Sequence, residues 1–384
     1  MDIDINKYIE IRKTLHRNPE LKYEEFDTAK LVAEHLTDLG YEVTTGIGKT
    51  GVKAVLYTHR PGPTIAFRAD LDALPILELN EFEHKSQNTG KMHACGHDGH
   101  TASLLCAAES LMANKDAYCG NIVIIMQPAE EGGAGAKAMI DDGVLEHPRV
   151  DKIFGYHNRP GFQQGLVFVK SGSAMGGNTS ISVEITGKGG HAAMPHLTHD
   201  PIVAGASFVT QVQTVVSRKL SPLNAAAVTV SEFHSGQGHN VIGSKAQLSL
   251  SVRSDTKETD ELLVREIEKT LKCVCEQFNC TYEFTILLSI PALVNHRQET
   301  TDVIEACQYS FEKNNLLEID YMPTMGAEDF SFYLLERPGC YFFIGNGEDS
   351  AYLHNPHYDF NDENIAVARQ VYMDVAQFYL GREQ

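Results

Sequence analysis

No stretch of this sequence reaches the roughly 20 consecutive apolar residues needed to cross a bilayer. The opening Met1-Asp2-Ile3-Asp4 carries acid where a secretory leader carries base, and no apolar core segment follows it. A cytoplasmic location without a membrane partner is therefore expected. Basic charge is scarce: 32 Lys and Arg stand against 51 Asp and Glu, a formal net charge of −19, with no Lys/Arg run. Nucleic-acid binding needs a positive footprint, so no nucleic-acid partner is expected. Regular cysteine pairing is also missing. Eight cysteines stand at irregular spacings without a C-x-x-C pair, which argues against a disulfide framework. Cys273, Cys275 and Cys280 read as buried structural thiols rather than a zinc knuckle.

What the chain does contain is length and alternation. At 384 residues it exceeds what one hydrophobic core usually supports, so two domains are expected. Ile5, Tyr8, Ile9 and Leu15 share a helical face ahead of Pro19, and a second helix is expected from about Glu24 to Leu39, stopped by Gly40. Apolar runs at Val52–Tyr57, Thr64–Phe67, Ile122–Met126 and Ile153–Tyr156, separated by turn and helix signals, predict a buried parallel sheet in an α/β domain. From about Asn178 the texture changes. Ile181–Ile185 alternates as a half-buried strand, a helix follows Asp200-Pro201, and strands cover Ala226–Phe233 and Ala246–Val252. A helix near Thr259–Phe278 and a strand near Tyr282–Leu287 complete a β-α-β-β-α-β order, the ferredoxin-like α+β arrangement. Residues 1–177 and 293–384 are thus read as one domain, closed by a helix near Asn364–Leu380, with 178–292 inserted into it.

The strongest chemical pattern is His93-Ala94-Cys95-Gly96-His97-Asp98-Gly99-His100. Thiolate and imidazole suit zinc and other late first-row divalent metals, and the glycines permit the tight backbone turn that lets side chains converge. A His-rich surface loop is the bland alternative, and this density of donors disfavours it. Gln127-Pro128-Ala129-Glu130-Glu131 follows an apolar strand directly, where functional groups of open α/β sheets gather. One carboxylate there can bind metal while its neighbour handles a proton, although a solvated acidic turn reads equally well from that motif alone. Asp70 and Asp72 are expected just after the strand ending near Arg68, and His157 just after the strand ending at Tyr156. His354 lies in a turn before the final helix.

These motifs resemble the amidohydrolase branch of the aminoacylase and glutamate-carboxypeptidase metallopeptidases, which includes hippurate hydrolases, N-acyl-amino-acid amidohydrolases and plant auxin-conjugate hydrolases. The resemblance runs almost end to end. It takes in Arg68-Ala69-Asp70-Leu71-Asp72-Ala73-Leu74-Pro75, the Cys/His segment, Gln127 to Glu131, Gly189-Gly190-His191 through Asp200-Pro201, Gly326-Ala327-Glu328-Asp329-Phe330, and His354 through Phe360. It implies a metallo-exopeptidase-like catalytic domain with an inserted dimerisation or lid domain, and a homodimer. It also implies two divalent ions (Zn, Mn, Co or Ni) held by Cys95, His97, Glu131, His157 and His354, with Glu130 as general base. Asp72, or Asp70, would orient the ligands. His191 would reach a partner subunit's site and polarise the substrate carbonyl, and Asn240 and Arg253 would bind the substrate carboxylate. Asp70 stands where the wider family has a histidine, as is normal in this branch, and Asn158-Arg159-Pro160-Gly161-Phe162 departs from the usual pattern.

The expected activity is hydrolysis of an N-acyl amino acid of the hippurate or N-acetyl type. N-acetyl-diaminopimelate and aminobenzoyl-glutamate are the alternative substrates. Three readings of other classes compete. Gly133-Ala134-Gly135-Ala136-Lys137-Ala138 fits a dinucleotide-binding G-x-G-x-x-A, but Pro128 to Gly132 intervene after the strand, and close helix packing explains the glycines better. Gly48-Lys49-Thr50 is half a P-loop, with Val43 at the first glycine position. A non-catalytic metal- or amino-acid-binding protein would not need Glu130.

Overall fold

The computed structural model describes residues 3–321 and 324–382. Its apolar runs form strands because residues such as Val52, Ile65, Ile122 and Ile124 suit a pleated surface covered on both faces. They build an eight-stranded sheet in the order Glu42–Ile47, Gly51–Tyr57, Asn121–Gln127, Thr64–Asp70, Lys152–Pro160, Gly339–Gly347, Val167–Val169 and Leu316–Glu318. The four strands from Asn121–Gln127 to Gly339–Gly347 are mutually parallel. Gly51–Tyr57 is antiparallel to both of its neighbours, which corrects its reading as a member of the parallel set. Continuous burial reports that both faces are covered and carries no information on direction. Two strands outrun their apolar cores, so Asp70 and His157 lie within strands rather than beyond them.

Helices Ile5–Arg17, Phe26–Asp38, His97–Ala113 and Asn364–Leu380 contribute to the core of the same unit, which includes Val32, Leu36, Phe67, Leu104, Leu105, Ile124, Phe154, Phe342 and Tyr372. The Asp4 side chain caps the first helix by accepting from the Asn6 amide, and Gly40, at φ +94°, turns the chain after the second. His97–Ala113 is buried along most of its length, as an α/β core helix with little polar face must be.

The chain divides into two compact units. The larger takes the residues up to Gly172, Asn295–Tyr321 and Asp329 onward; the smaller takes Ser173–Val294 with 324–328. In the smaller unit a four-stranded antiparallel sheet runs in the order Ala226–Ser235, Lys245–Ser254, Gly177–Thr186, Thr281–Ile290. Helices Pro201–Thr214 and Lys257–Gln277 complete the ferredoxin-like order and pack through Phe208, Val212, Leu263, Ile267 and Leu271 on Ile181, Val183, Leu248 and Leu250. Both outer strands carry one extra residue against their inner partners, Ser231 between Val230 and Glu232, and Leu287 between Ile286 and Leu288. Cys275 and Cys280 are buried, but Cys273 is exposed, against its reading as a buried thiol. It precedes the buried pair Val274 and Cys275 on the helix and falls on the solvent face.

Candidate active site

The carboxyl ends of the parallel strands bring the larger unit's polar side chains together. Gly96 makes the bend that begins helix His97–Ala113. Its φ is +97°, and a Cβ there would stand 2.4 Å from Asn158 Oδ1 and 2.6 Å from the Tyr358 hydroxyl, so only glycine fits. On either side of that bend, Cys95 and His97 form a trio with His157 whose donor atoms all lie within 4.8 Å of one another. Cys95, Glu131 and His354 form a second such trio, and His97, Glu130 and Glu131 a third. Cys95 Sγ is 3.3 Å from His157 Nε2, Glu131 Oε1 is 3.3 Å from His354 Nε2, and Glu130 Oε2 is 3.9 Å from His97 Nε2. Cys95, His97 and His157 are buried, whereas the His354 side chain is 51% exposed.

The donor set fits divalent cations. His97 Nδ1 donates to the Asp72 carbonyl at 2.8 Å, and the buried Nε2, turned to the cluster, has no hydrogen-bond partner among the described residues. Burial alone would depress His97, but Asp70, Cys95 and Asp72 outweigh it and raise its pKa well above the ordinary value. Hydrogen bonds to Cys95 and Glu131 likewise hold His354 up to about 10. Both shifts have one cause: the cluster concentrates negative groups and favours positive charge at its centre, which a bound cation supplies. Burial, aided by the charge on Glu131, pushes the Cys95 thiol up, so thiolate ligation depends on that positive charge.

Asp72 holds the carboxylate pair from behind. Its Oδ1 accepts the Glu130 amide at 3.0 Å and its Oδ2 the Glu131 amide at 2.9 Å. Asp70 accepts from Arg68 Nη1 at 2.7 Å and pairs with His100 Nδ1 at 2.7 Å, its Oδ2 standing 3.7 Å from His97 Nε2. Burial would raise Asp70, yet His97, His100 and Arg68 together hold it well below the usual carboxylate range. Arg68 also donates to Gln127 Oε1 at 2.7 Å and Asp329 Oδ1 at 3.0 Å. Asp329 Oδ2 in turn accepts the Ala136 amide at 3.0 Å, at the start of helix Gly135–Asp141. The protein's own carboxylate therefore fills the place a nucleotide phosphate would need. A Cβ on Gly135 would fall 1.7 Å from the Pro128 carbonyl oxygen, so close packing accounts for that glycine.

Beneath the Cys/His segment a second buried network joins Asp98 to His16 at 2.8 Å and to Arg12 at 3.3 Å, with His16 also 3.2 Å from Glu78. The sequence reading gave no role to Arg12, His16, Arg68, His100, Gln127 or Asp329. One mark was legible: Arg68 interrupts an apolar strand, and an arginine inside a buried strand requires buried partners.

The remaining candidates lie in the smaller unit. His191 is exposed on the short strand Gly190–His191, paired with Val241–Ile242. Its Nδ1 accepts the Ala193 amide at 3.0 Å, which puts the ring proton of the neutral form on Nε2 as an outward donor. Asn240 is alongside, its carbonyl accepting from the Ala192 amide at 3.0 Å. Arg253, half-buried in Lys245–Ser254, is not hydrogen-bonded to either among the described residues.

The family model described as peptidase family M20/M25/M40 matches residues 66–377. The hippurate hydrolase of Campylobacter jejuni is 38% identical over 97% of this chain and 97% of its own length. The N-acetyl-L-cysteine deacetylase of Bacillus subtilis is 37% identical over 94% of this chain and 85% of its own. Among solved structures, the YXEP protein of Bacillus subtilis, a dinuclear metal-binding peptidase, superposes with a TM-score of 0.84 at 30% identity, covering 97% of each chain. The chain belongs to peptidase family M20/M25/M40. Within that family it is a metal-dependent amidohydrolase.

Proposed function

We propose that this enzyme hydrolyses the amide bond of N-acyl amino acids of the hippurate or N-acetyl type, with Glu130 as general base. The observation that carries the reading is the Asp72 clamp: one carboxylate fixes the amides of both Glu130 and Glu131, so a proton acceptor and a metal donor sit side by side. Cys95, His97 and His157 would hold one cation and Cys95, Glu131 and His354 a second, with Zn, Mn, Co and Ni all compatible with these donors. Bound divalent cations supply Lewis acidity, lowering the pKa of water towards ~7 and countering charge on the carbonyl oxygen.

Glu130 takes a proton from water as its oxygen adds to the carbonyl carbon, then delivers that proton to the amide nitrogen as the C–N bond breaks. The products are a carboxylate and the free amino acid. His191, contributed by the partner subunit of a homodimer, donates Nε2–H towards the oxygen on which negative charge develops. Asn240 and Arg253 receive the substrate carboxylate. N-acetyl-diaminopimelate and aminobenzoyl-glutamate are the competing substrates, and the reaction belongs in the cytoplasm.

The test is a panel of N-acyl amino acids assayed after chelation and after restoring each metal, with Glu130→Gln alongside. The expected result is activity that vanishes on chelation and returns with metal. Glu130→Gln should retain its metal and lose at least about 100-fold in turnover. Near-normal turnover in that variant would remove Glu130 from its role.

A further inference from the structure

The turn that carries Glu130 and Glu131 is irregular. Ala129 and Ala134 have φ of +53°, Gly132 has +72°, and Glu131, at ψ 67°, is not helical. Left-handed backbone at alanine is disfavoured and persists only where surrounding contacts impose it. Asp72 supplies two such contacts. The others come from the segment between helices Ile5–Arg17 and Phe26–Asp38, a part of the chain assigned no role so far.

Glu25 is fully buried, and its Oε1 accepts the Ala129 amide at 2.9 Å. The same oxygen accepts the Tyr23 amide at 2.9 Å, while Oε2 accepts the Thr50 hydroxyl at 2.6 Å, so the carboxylate is locked on both sides. Tyr23 donates its hydroxyl to the Gly133 carbonyl at 2.8 Å, and Lys22 Nζ donates to the Glu131 carbonyl at 3.1 Å. The segment is also tied to the Asp72 side of the clamp, because the Glu20 carbonyl accepts the Ala73 amide at 2.8 Å. Five backbone groups between Ala129 and Gly133 are thus held by side chains from two connected segments, 22–25 and Asp72.

We infer that Lys22, Tyr23 and Glu25 form a positioning clamp that sets where the Glu130 and Glu131 carboxylates stand relative to the Cys/His donors. Glu25 is its central member. The clamp grips backbone groups of the turn and acts through them. Its effect on turnover rests on the reading of Glu130 as base; its effect on the turn's geometry does not. Displacements of about 1 Å in a catalytic group cost on the order of 100-fold, so a loosened turn should lower kcat while leaving substrate binding nearly unchanged.

The experiment uses the full-length, metal-loaded enzyme and compares Glu25→Ala, Glu25→Gln and Tyr23→Phe with the parent. The readouts are kcat and KM on a hydrolysed N-acyl amino acid and amide hydrogen exchange over residues 128–134. Glu25→Ala should lose about 10- to 100-fold in kcat, with KM within about threefold and faster exchange in that segment alone. Glu25→Gln, which keeps an acceptor for Ala129, should recover most of the loss. Tyr23→Phe, at a half-buried position that tolerates the change, should lose about 3- to 10-fold in kcat. The inference is overturned if kcat and local exchange stay at parental values in Glu25→Ala and Tyr23→Phe. It is equally overturned if activity falls only in step with the folded, metal-loaded fraction. If Glu130→Gln proves active, the base assignment fails, and the exchange readout alone still decides the clamp.

Discussion

The two units bury different things. Between Ser173 and Val294 the buried polar side chains are Thr179, Ser254 and Thr259, with no buried Asp, Glu, Lys, Arg or His among the described residues. The larger unit buries Arg12, His16, Arg68, Asp70, Asp72, His97, Asp98, His100, Glu130 and Asp329. Apolar burial packs the sheet and helices of Ser173–Val294, and the smaller unit's one buried carboxylate among the described residues is Glu328, in its 324–328 segment. Ionisable groups inside the larger unit are costly unless partnered. Those around Arg68, Asp70, Asp72 and His97 gather at the Cys/His/Glu cluster, whereas Lys53, Glu299 and Asp302 find partners elsewhere, Glu299 in Lys152 and Asp302 in Tyr379. The densest set of buried charge in the molecule lies at the candidate site.

That contrast can be broken experimentally. Arg68→Met removes the cation that Asp70 and Asp329 share, and the larger unit should lose about 3–5 kcal/mol in urea unfolding. A loss below 1 kcal/mol would mean that the charged lattice is not structural. In the smaller unit, Leu263→Ala removes a fully buried side chain from an apolar core and should cost about 3 kcal/mol without altering metal content. A metal loss in that variant would contradict the division of labour.

His16 sharpens the comparison through pH. Burial would depress it, but the charge of Asp98 and the hydrogen bonds to Asp98 and Glu78 outweigh burial and hold it up to about 9, from 6.5. The folded protein therefore keeps a proton that the unfolded chain releases. The stabilisation is complete below pH 6.5 and disappears as pH rises through about 9, roughly 3 kcal/mol in all. His16→Gln should flatten that slope in thermal melts followed between those pH values. The smallest effect is expected for Lys245→Ala, which removes an exposed pair with Glu184 in the smaller unit and should leave Tm unchanged within error.

The smaller unit was the more legible of the two in the sequence. Its alternation at Ile181–Ile185 and Ala246–Val252 marks one buried and one exposed face, and the strands there differ from the expected bounds only at their ends. In the larger unit, runs such as Val52–Tyr57 are buried on both faces, Lys53 included, and could not disclose their direction. Asp70 and His157 lie past the apolar runs in sequence, whereas the backbone ladder continues through these polar residues. The candidate metal donors stand out in the sequence because Cys, His and Glu are chemically distinctive. The Glu25 contact to Ala129 does not, since a backbone amide and a carboxylate distant in sequence leave no mark in composition or period.

The two extra residues in the outer strands of the four-stranded sheet have a consequence for behaviour at high concentration. An outer strand is a template on which another chain can stack, and an uninterrupted ten-residue edge invites fibril-like growth. Ser231 and Leu287 each break that template near its middle. Any strand laid along either side finds only a short run of aligned backbone groups before the spacing slips, so open-ended stacking stalls after a few residues.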